Sequence, residues 1–374
     1  MKVPFLDLKR VNSELKTQID AACLRVIDSG WYLLGKVLED FEGKLKHYLV
    51  GEEQGFVVGC NSGTDALILS LLASEVKSGD QVIVVSHTAI PTISAIRAVG
   101  AEPVFVDIDR DTWVMDVSQA FRAITPRTKA IIPVHLYGNM VDVYKLREGL
   151  VEIGRQDISI IEDVAQAHGA KLSKAKAGTI GRFGAFSFYP SKNIGALGDG
   201  GAVFCRDRND MEKLRMLRNY GQKDRYLAVA SRGINSRLDE IQAAVLEVKL
   251  PNLDRWIDYK SKLMSDYRKE LFGLPVTLQR TTAGCEPAWH LGVIAVQDRS
   301  QRDDLISYLE KQGIQTLIHY PIPTHLQEAF RIGNTSLPHT ETLAGRILSL
   351  PMNTAITQNE QEVVVKAIKS FFAV

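Results

Sequence analysis

The sequence predicts an α/β protein: a large three-layer domain on a mostly parallel sheet, followed by a small α+β one. Three observations carry this. Seven short apolar runs recur between about positions 55 and 205, several of them β-branched and apolar on both faces, as strands inside a parallel sheet are. Helical periodicities separate the early runs. After Arg237 the texture changes to helix-rich sequence broken by Pro251.

The runs lie at 55–60, 81–85, 103–108, 130–135, 158–162, 183–189 and 201–205, with helical patterns at 65–75 and 92–99 between the early ones. Residues 236–250 read as helix, Pro251 forces a break or bend, and a second helix runs to about Leu271. Beyond it, HLGVIAVQ reads as a strand, RDDLISYLEKQG as a helix stopped by Gly313, and NEQEVVVKAIKSFF as a final helix. The expected division is 1–250 for an N-terminal arm and the large domain, and 251–374 for a linker helix and the small domain.

Composition narrows the function. The 374 residues are 45% hydrophobic and 24% charged, which excludes a wholly disordered chain. A net charge of +1 supplies no strong field for non-specific nucleic-acid binding. Four scattered cysteines make neither a disulfide scaffold nor a metal knuckle, and favour a reducing compartment. The N-terminus lacks the apolar core of a signal peptide, and no run of 18 apolar residues occurs. The expectation is a soluble cytoplasmic protein with no membrane or nucleic-acid partner and no metal.

Three loops can carry chemistry. Residues 59–65 (GCNSGTD) follow a strand and open an apolar helix, so small residues and a helix N-terminus offer an anion site. Taken alone, that loop reads as an ordinary helix cap. The second loop ends a strand in Glu162-Asp163 and continues through Gln166 and His168; a strand-end carboxylate suits a protonated ring nitrogen, and equally caps a turn. In the third, Lys192 sits between an apolar run and four glycines (195, 198, 200, 201). A dehydrated lysine there loses its proton more easily and becomes a nucleophile, whereas a lone lysine is usually solvated. Together the three supply what pyridoxal 5′-phosphate requires: a phosphate seat, a partner for the pyridine nitrogen and an imine-forming amine.

The chain resembles the DegT/DnrJ/EryC1/StrS sugar-nucleotide aminotransferases, within the fold type I aspartate-aminotransferase superfamily. The resemblance rests on PFLDLKR (4–10), SGWYLLG (29–35), NSGTDAL (61–67), HLYGNMVD (135–142), EDVAQAHGA (162–170), SFYPSKNIGALGDGG (187–201), NYGQ (219–222), INSRLDEIQAA (234–244), HYPIPTH (319–325) and LSLPM (348–352). It implies a seven-stranded large domain, pyridoxal phosphate as cofactor, and a homodimer with shared sites. Lys192 becomes the imine-forming lysine and Asp163 the partner of the ring nitrogen. Gln166 lies against the ring; Gly63, Thr64 and Ser187 bind the phosphate; Asn235 reaches the neighbouring subunit's cofactor. Relatives that dehydrate their substrates carry histidine in place of the lysine; this chain keeps Lys192.

One position departs from the family pattern. Ala89 follows Thr88 where relatives often carry a stacking aromatic residue, which leaves His87 as the nearest flat side chain. The Gly198-Asp199-Gly200-Gly201 form resembles enzymes that aminate C3 of a keto sugar, and SHTA (86–89) and NYGQKDRY (219–226) resemble the dTDP-3-keto-6-deoxyhexose branch, which implies L-glutamate as donor and a place in amino-sugar and O-antigen or other glycan biosynthesis. Amination at C4, UDP- or GDP-linked substrates, a dehydratase and a non-catalytic regulator are the alternatives. Trp31, Tyr32, Arg218, His319 and Tyr320 are candidates for touching the sugar nucleotide; the aromatic ones are equally suited to packing turns.

Overall fold

The protein is described by a computed structural model over residues 2–373, apart from 332 and 334. All seven apolar runs are strands of one sheet: β1 (Phe56–Cys60), β2 (Gln81–Val85), β3 (Glu102–Val106), β4 (Thr128–Ile132), β5 (Ser159–Asp163), β6 (Phe183–Ser187) and β7 (Gly201–Cys205). Their order is β1-β7-β6-β5-β4-β2-β3, and β7 alone runs against its neighbours. This is the fold type I arrangement. Because six strands are parallel, their carboxyl ends share one edge, and the three candidate loops emerge at or beside it.

Helices α1 (Lys16–Ser29) and α2 (Lys36–Val50) precede the sheet. Helix α3 (Gly63–Ala73) packs against β6, β7 and the helices α4 (Ile90–Ala98) and α5 (Arg208–Leu217). With neighbours on so many sides, α3 is apolar nearly all round rather than amphipathic.

The predicted bend at Pro251 is present: α6 (Glu240–Lys249) passes through the turn Leu250–Asn252 into α7 (Leu253–Glu270). Helix α6 starts at Glu240, four residues later than the periodicity suggests. Ser236 is spent on tertiary bonds, accepting from the Asn61 amide (3.1 Å) and donating to Asp65 (2.8 Å), while Asp239 bridges to Leu33. A second core surrounds an antiparallel sheet of β8 (Thr277–Leu278), β9 (Gly292–Ala295) and β10 (Ile347–Leu350), with α8 (Arg299–Lys311) and α9 (Gln358–Phe372) beside it. Val3 lies in this second core, its amide bonded to Gly313 O at 2.9 Å, and Arg10 pairs with Glu360 at 2.8 Å. The start of the N-terminal arm therefore packs with the C-terminal part.

Candidate active site

The first loop is a helix start with donors to spare. Ser62 Oγ accepts from the Asp65 amide (3.1 Å), and the amides of Gly63 and Thr64 precede the first intrahelical bond, so they are available to an anion. Close packing brings a hydroxyl to the same place. A Cβ at Gly63 would lie 2.5 Å from Ser187 Cβ, and one at Gly201 would lie 2.3 Å from Ser62 O. Only glycine at both positions lets the ends of β6 and β7 meet the start of α3.

The paired acids ending β5 separate by strand alternation. Glu162 is fully buried and accepts from the amides of Gly178, Ile180 and Gly181 and contacts His135 Nε2 at 2.9 Å, which makes it a structural anchor. Asp163 takes the other face, where Thr92 Oγ1 donates to Oδ2 (2.9 Å) and the Ala165 amide to Oδ1 (3.1 Å). Burial pushes its carboxyl above the usual range, against those two bonds and the attraction of Lys192. The site therefore favours a cationic partner for this carboxylate.

Lys192 lies within electrostatic reach of Asp163. Burial lowers its ammonium below the usual lysine range, with Asp163 opposing the shift. Among the described residues no carboxylate comes within ion-pairing distance of its Nζ. An amine that is dehydrated and unpaired is primed as nucleophile and base. The neighbouring Asn193 anchors the loop: its Nδ2 donates to Ala288 O (2.9 Å), and its Oδ1 accepts from Lys260 Nζ (2.8 Å) and faces His290 Nδ1 at 3.2 Å.

Gln166 joins a buried polar cluster: its Oε1 accepts from the Tyr137 amide (2.7 Å) and its Nε2 donates to Tyr320 Oη (2.9 Å). His87 belongs to it through a 2.7 Å contact with Tyr137 Oη, and it meets the Tyr137 ring edge-on. Burial pushes the His87 imidazole down to about 4, so it is neutral at pH 7. His319 sits at the rim of this group, its carbonyl accepting from Tyr137 Oη, its Nδ1 2.9 Å from Ser349 Oγ, and its ring stacked on Phe5.

Other expected residues lie elsewhere. Arg218 is buried, and its Nη1 donates to Glu42 Oε1 and Gly59 O, both at 2.7 Å. The expectation that Arg218 touches the sugar nucleotide finds no support, because its guanidinium is committed to a buried ion pair under β1. Trp31 and Tyr32 are exposed, and their hydrogen bonds are to their own segment and to α6 rather than to Lys192 or Asp163. Asn235 is exposed, with its backbone bridged to Asn219.

Sequence reasoning did not single out Thr92, Asn193 or Lys260. Thr92 meets Asp163 across 71 residues of chain and Lys260 meets Asn193 across 67, and no local pattern records such contacts. Tyr137 was signalled only as part of the HLYGNMVD stretch; its left-handed backbone (φ 61°), followed by Gly138 (φ 99°), turns its amide toward Gln166. Among the described residues, no cluster of three or more His, Cys, Asp or Glu could hold a metal ion, and no helix is long and apolar enough to cross a membrane.

Comparison with known proteins gives one consistent result. The profile described as the DegT/DnrJ/EryC1/StrS aminotransferase family matches residues 13–369. The dTDP-3-amino-3,4,6-trideoxy-alpha-D-glucose transaminase of Streptomyces venezuelae is 44% identical, over 99% of this chain and 96% of its own length. The erythromycin biosynthesis sensory transduction protein EryC1 of Saccharopolyspora erythraea is 45% identical, over 99% of this chain and 100% of its own. The crystal structure of S. venezuelae DesV in complex with a ketimine intermediate superposes with a TM-score of 0.94 at 44% identity, covering 100% of this chain and 99% of that one. With the profile spanning nearly the whole sequence and relatives this similar end to end, the chain belongs to the DegT/DnrJ/EryC1/StrS aminotransferase family.

Proposed function

We propose that this protein is a pyridoxal-phosphate-dependent aminotransferase that moves the amino group of L-glutamate to C3 of a dTDP-linked 3-keto-6-deoxyhexose. The observation that carries the reading is the pair of Lys192, a half-buried residue whose amine is dehydrated and has no carboxylate partner among the described residues, and Asp163, a buried carboxylate whose ionised form burial disfavours. Both needs are met by a cofactor with an aldehyde and a protonated ring nitrogen. The cradle at Gly63 and Ser187, which a single Cβ would fill, fits that cofactor's phosphate.

Each residue then has a task. The Gly63 and Thr64 amides and the Ser187 hydroxyl hold the phosphate, where the helix terminus favours negative charge. Asp163 keeps the ring nitrogen protonated, and Thr92 and the Ala165 amide fix the carboxylate's orientation. Gln166, held by Tyr137 and Tyr320, lines the ring. Lys192 would supply the amine that links the cofactor covalently, and its Nζ, once freed, would hold and move a proton. When bound, pyridoxal phosphate supplies the electron sink for carbanion charge.

The sugar assignment draws support from the S. venezuelae relative, whose name specifies a dTDP-3-amino sugar. C4 amination and UDP- or GDP-linked sugars are the competing substrates within the same chemistry. The regulatory names of the S. erythraea relative and of a pleiotropic regulatory protein of Geobacillus stearothermophilus are what favours a non-catalytic role. Lys192 and Asp163, both present and both electrostatically perturbed, weigh against that role and against a dehydratase, in which histidine replaces the lysine. The test loads the enzyme with glutamate, removes the excess, and offers 3-keto and 4-keto sugar nucleotides separately. The 3-keto compound should restore the original cofactor spectrum faster; the reverse order moves the assignment to C4. Failure of glutamate to change the spectrum at all removes the aminotransferase reading.

The same proposal includes a homodimer with sites shared across the interface. Trp31, Tyr32, Leu33, Leu34, Tyr226 and Leu227 are exposed apolar residues suited to self-association, and Asn235 lies exposed shortly after the second of these segments in the chain. Mixing Asn235→Asp with Lys192→Ala subunits should restore activity, up to one intact site per heterodimer. Confirmed subunit exchange without recovery would sink the shared-site arrangement.

A further inference from the structure

A cavity of about 590 Å³ opens beside Lys192, between the N-terminal arm, α7 and the second core. Its wall carries three lysines, Lys192, Lys249 and Lys260, against one carboxylate, Glu310, which is exposed on α8. Lys249 and Lys260 are both more than nine-tenths buried. Among the described residues neither has a carboxylate within 4 Å. Each uses one of its three N–H donors on the Lys192 loop: Lys249 donates to Gly195 O and Lys260 to Asn193 Oδ1. They converge on that loop from either side of the bend at Pro251.

A buried ammonium without a counter-charge is costly, and two of them beside a nucleophilic lysine are not explained by folding. Burial pushes Lys260 down to about 7 and Lys249 to about 8, because no charge of the chain offsets the loss of water around either amine. The remaining wall includes Phe5, Trp256, Leu291 and Met352, which suit a hydrocarbon stem.

We infer that this cavity is the seat of the donor's carboxylates, with Lys260 and Lys249 as the residues that recognise L-glutamate and 2-oxoglutarate. The inference rests on the aminotransferase reading and adds the donor subsite to it. Chemistry selects the donor over the sugar nucleotide's diphosphate. The α-carboxylate of an amino acid is one bond from its reacting carbon and must lie close to Lys192. A diphosphate attached at C1 of the sugar has its nearer phosphorus four bonds from a reacting C3, through C2, C1 and the linking oxygen. Cations beside Lys192 therefore match the former.

The experiment titrates the cofactor-loaded enzyme with 2-oxoglutarate and, separately, with dTDP, following binding by calorimetry. Wild type is compared with Lys260→Met and Lys249→Met. Lys260→Met should raise the Kd for 2-oxoglutarate at least about tenfold, the scale of losing one charge-assisted bond, and move the Kd for dTDP less than twofold. Lys249→Met should act in the same direction, and it carries the test if the Lys260 variant does not fold. Unchanged 2-oxoglutarate affinity in the folded variants overturns the assignment, as does equal weakening of both ligands or selective weakening of dTDP. Glutamate conversion of the wild-type cofactor is scored independently. Conversion with unchanged 2-oxoglutarate affinity rejects the subsite alone, whereas absence of conversion rejects the aminotransferase reading and the subsite with it.

Discussion

Lys192→Ala should abolish covalent attachment of the cofactor and cut turnover by at least about 10²–10⁴-fold, the range associated with losing a positioned general base. The phosphate seat at Gly63, Thr64 and Ser187 is remote in sequence and does not use the lysine, so the variant should still bind pyridoxal phosphate non-covalently. Borohydride reduction followed by denaturation separates the two states: wild type retains the label by mass, and the variant releases it. Burial of Lys192 lowers its affinity for a proton, so the neutral amine persists to lower pH than for an exposed lysine. Added methylamine should recover part of the lost rate, because a small amine can carry the missing proton. A labelled alanine variant would assign the covalent bond to another lysine.

Asp163→Asn should reduce turnover by about 10²–10⁴-fold, the equivalent of about 3–5 kcal/mol for removing one partner of a buried charge pair, while the KM for the sugar nucleotide changes less than about twofold. Equal losses in both would leave the residue with a structural role only. Stability offers a second readout whose sign is opposite in the cofactor-free protein. The folded-state pKa of Asp163 is raised, chiefly by burial, so its contribution is most favourable at low pH and is lost as pH rises through that raised value. Above that value the ionised carboxylate costs stability when no cationic ring nitrogen faces it. Cofactor-free Asp163→Asn should then melt no lower than wild type at pH 7, and any advantage should shrink as the pH falls. With cofactor bound, the order should reverse.

Much of this site was legible because it is built on loops with local signatures. GCNSGTD announces a helix start whose first amides are free, and Lys192 announces itself by standing between an apolar strand and a run of glycines. Glu162-Asp163 shows where local reading stops. Adjacent acids look equivalent in sequence, and only the alternation of β5, with amides of 178, 180 and 181 folded onto one face, commits Glu162 to structure and leaves Asp163 for chemistry. Arg218 shows the same limit from the other side. An arginine beside the NYGQ motif suits an anionic substrate until Glu42, 176 residues away in the chain, is found to hold it.

The sequence by itself determined the seven strands, the bend at Pro251, the family and the three loops. Each of these depends on side-chain periodicity, backbone permissiveness or short contiguous motifs, which are properties of neighbours in the chain. Only the tertiary structure decided that Thr92 orients Asp163, that Tyr137 and Tyr320 hold Gln166, that Val3 closes the second core, and that Lys249 and Lys260 bring unpaired charge to the Lys192 loop. These depend on which groups meet across a sheet edge or a helix bend, and on how far burial strips them of water. Both are set by packing between segments distant in the chain, and neither is encoded in any local window.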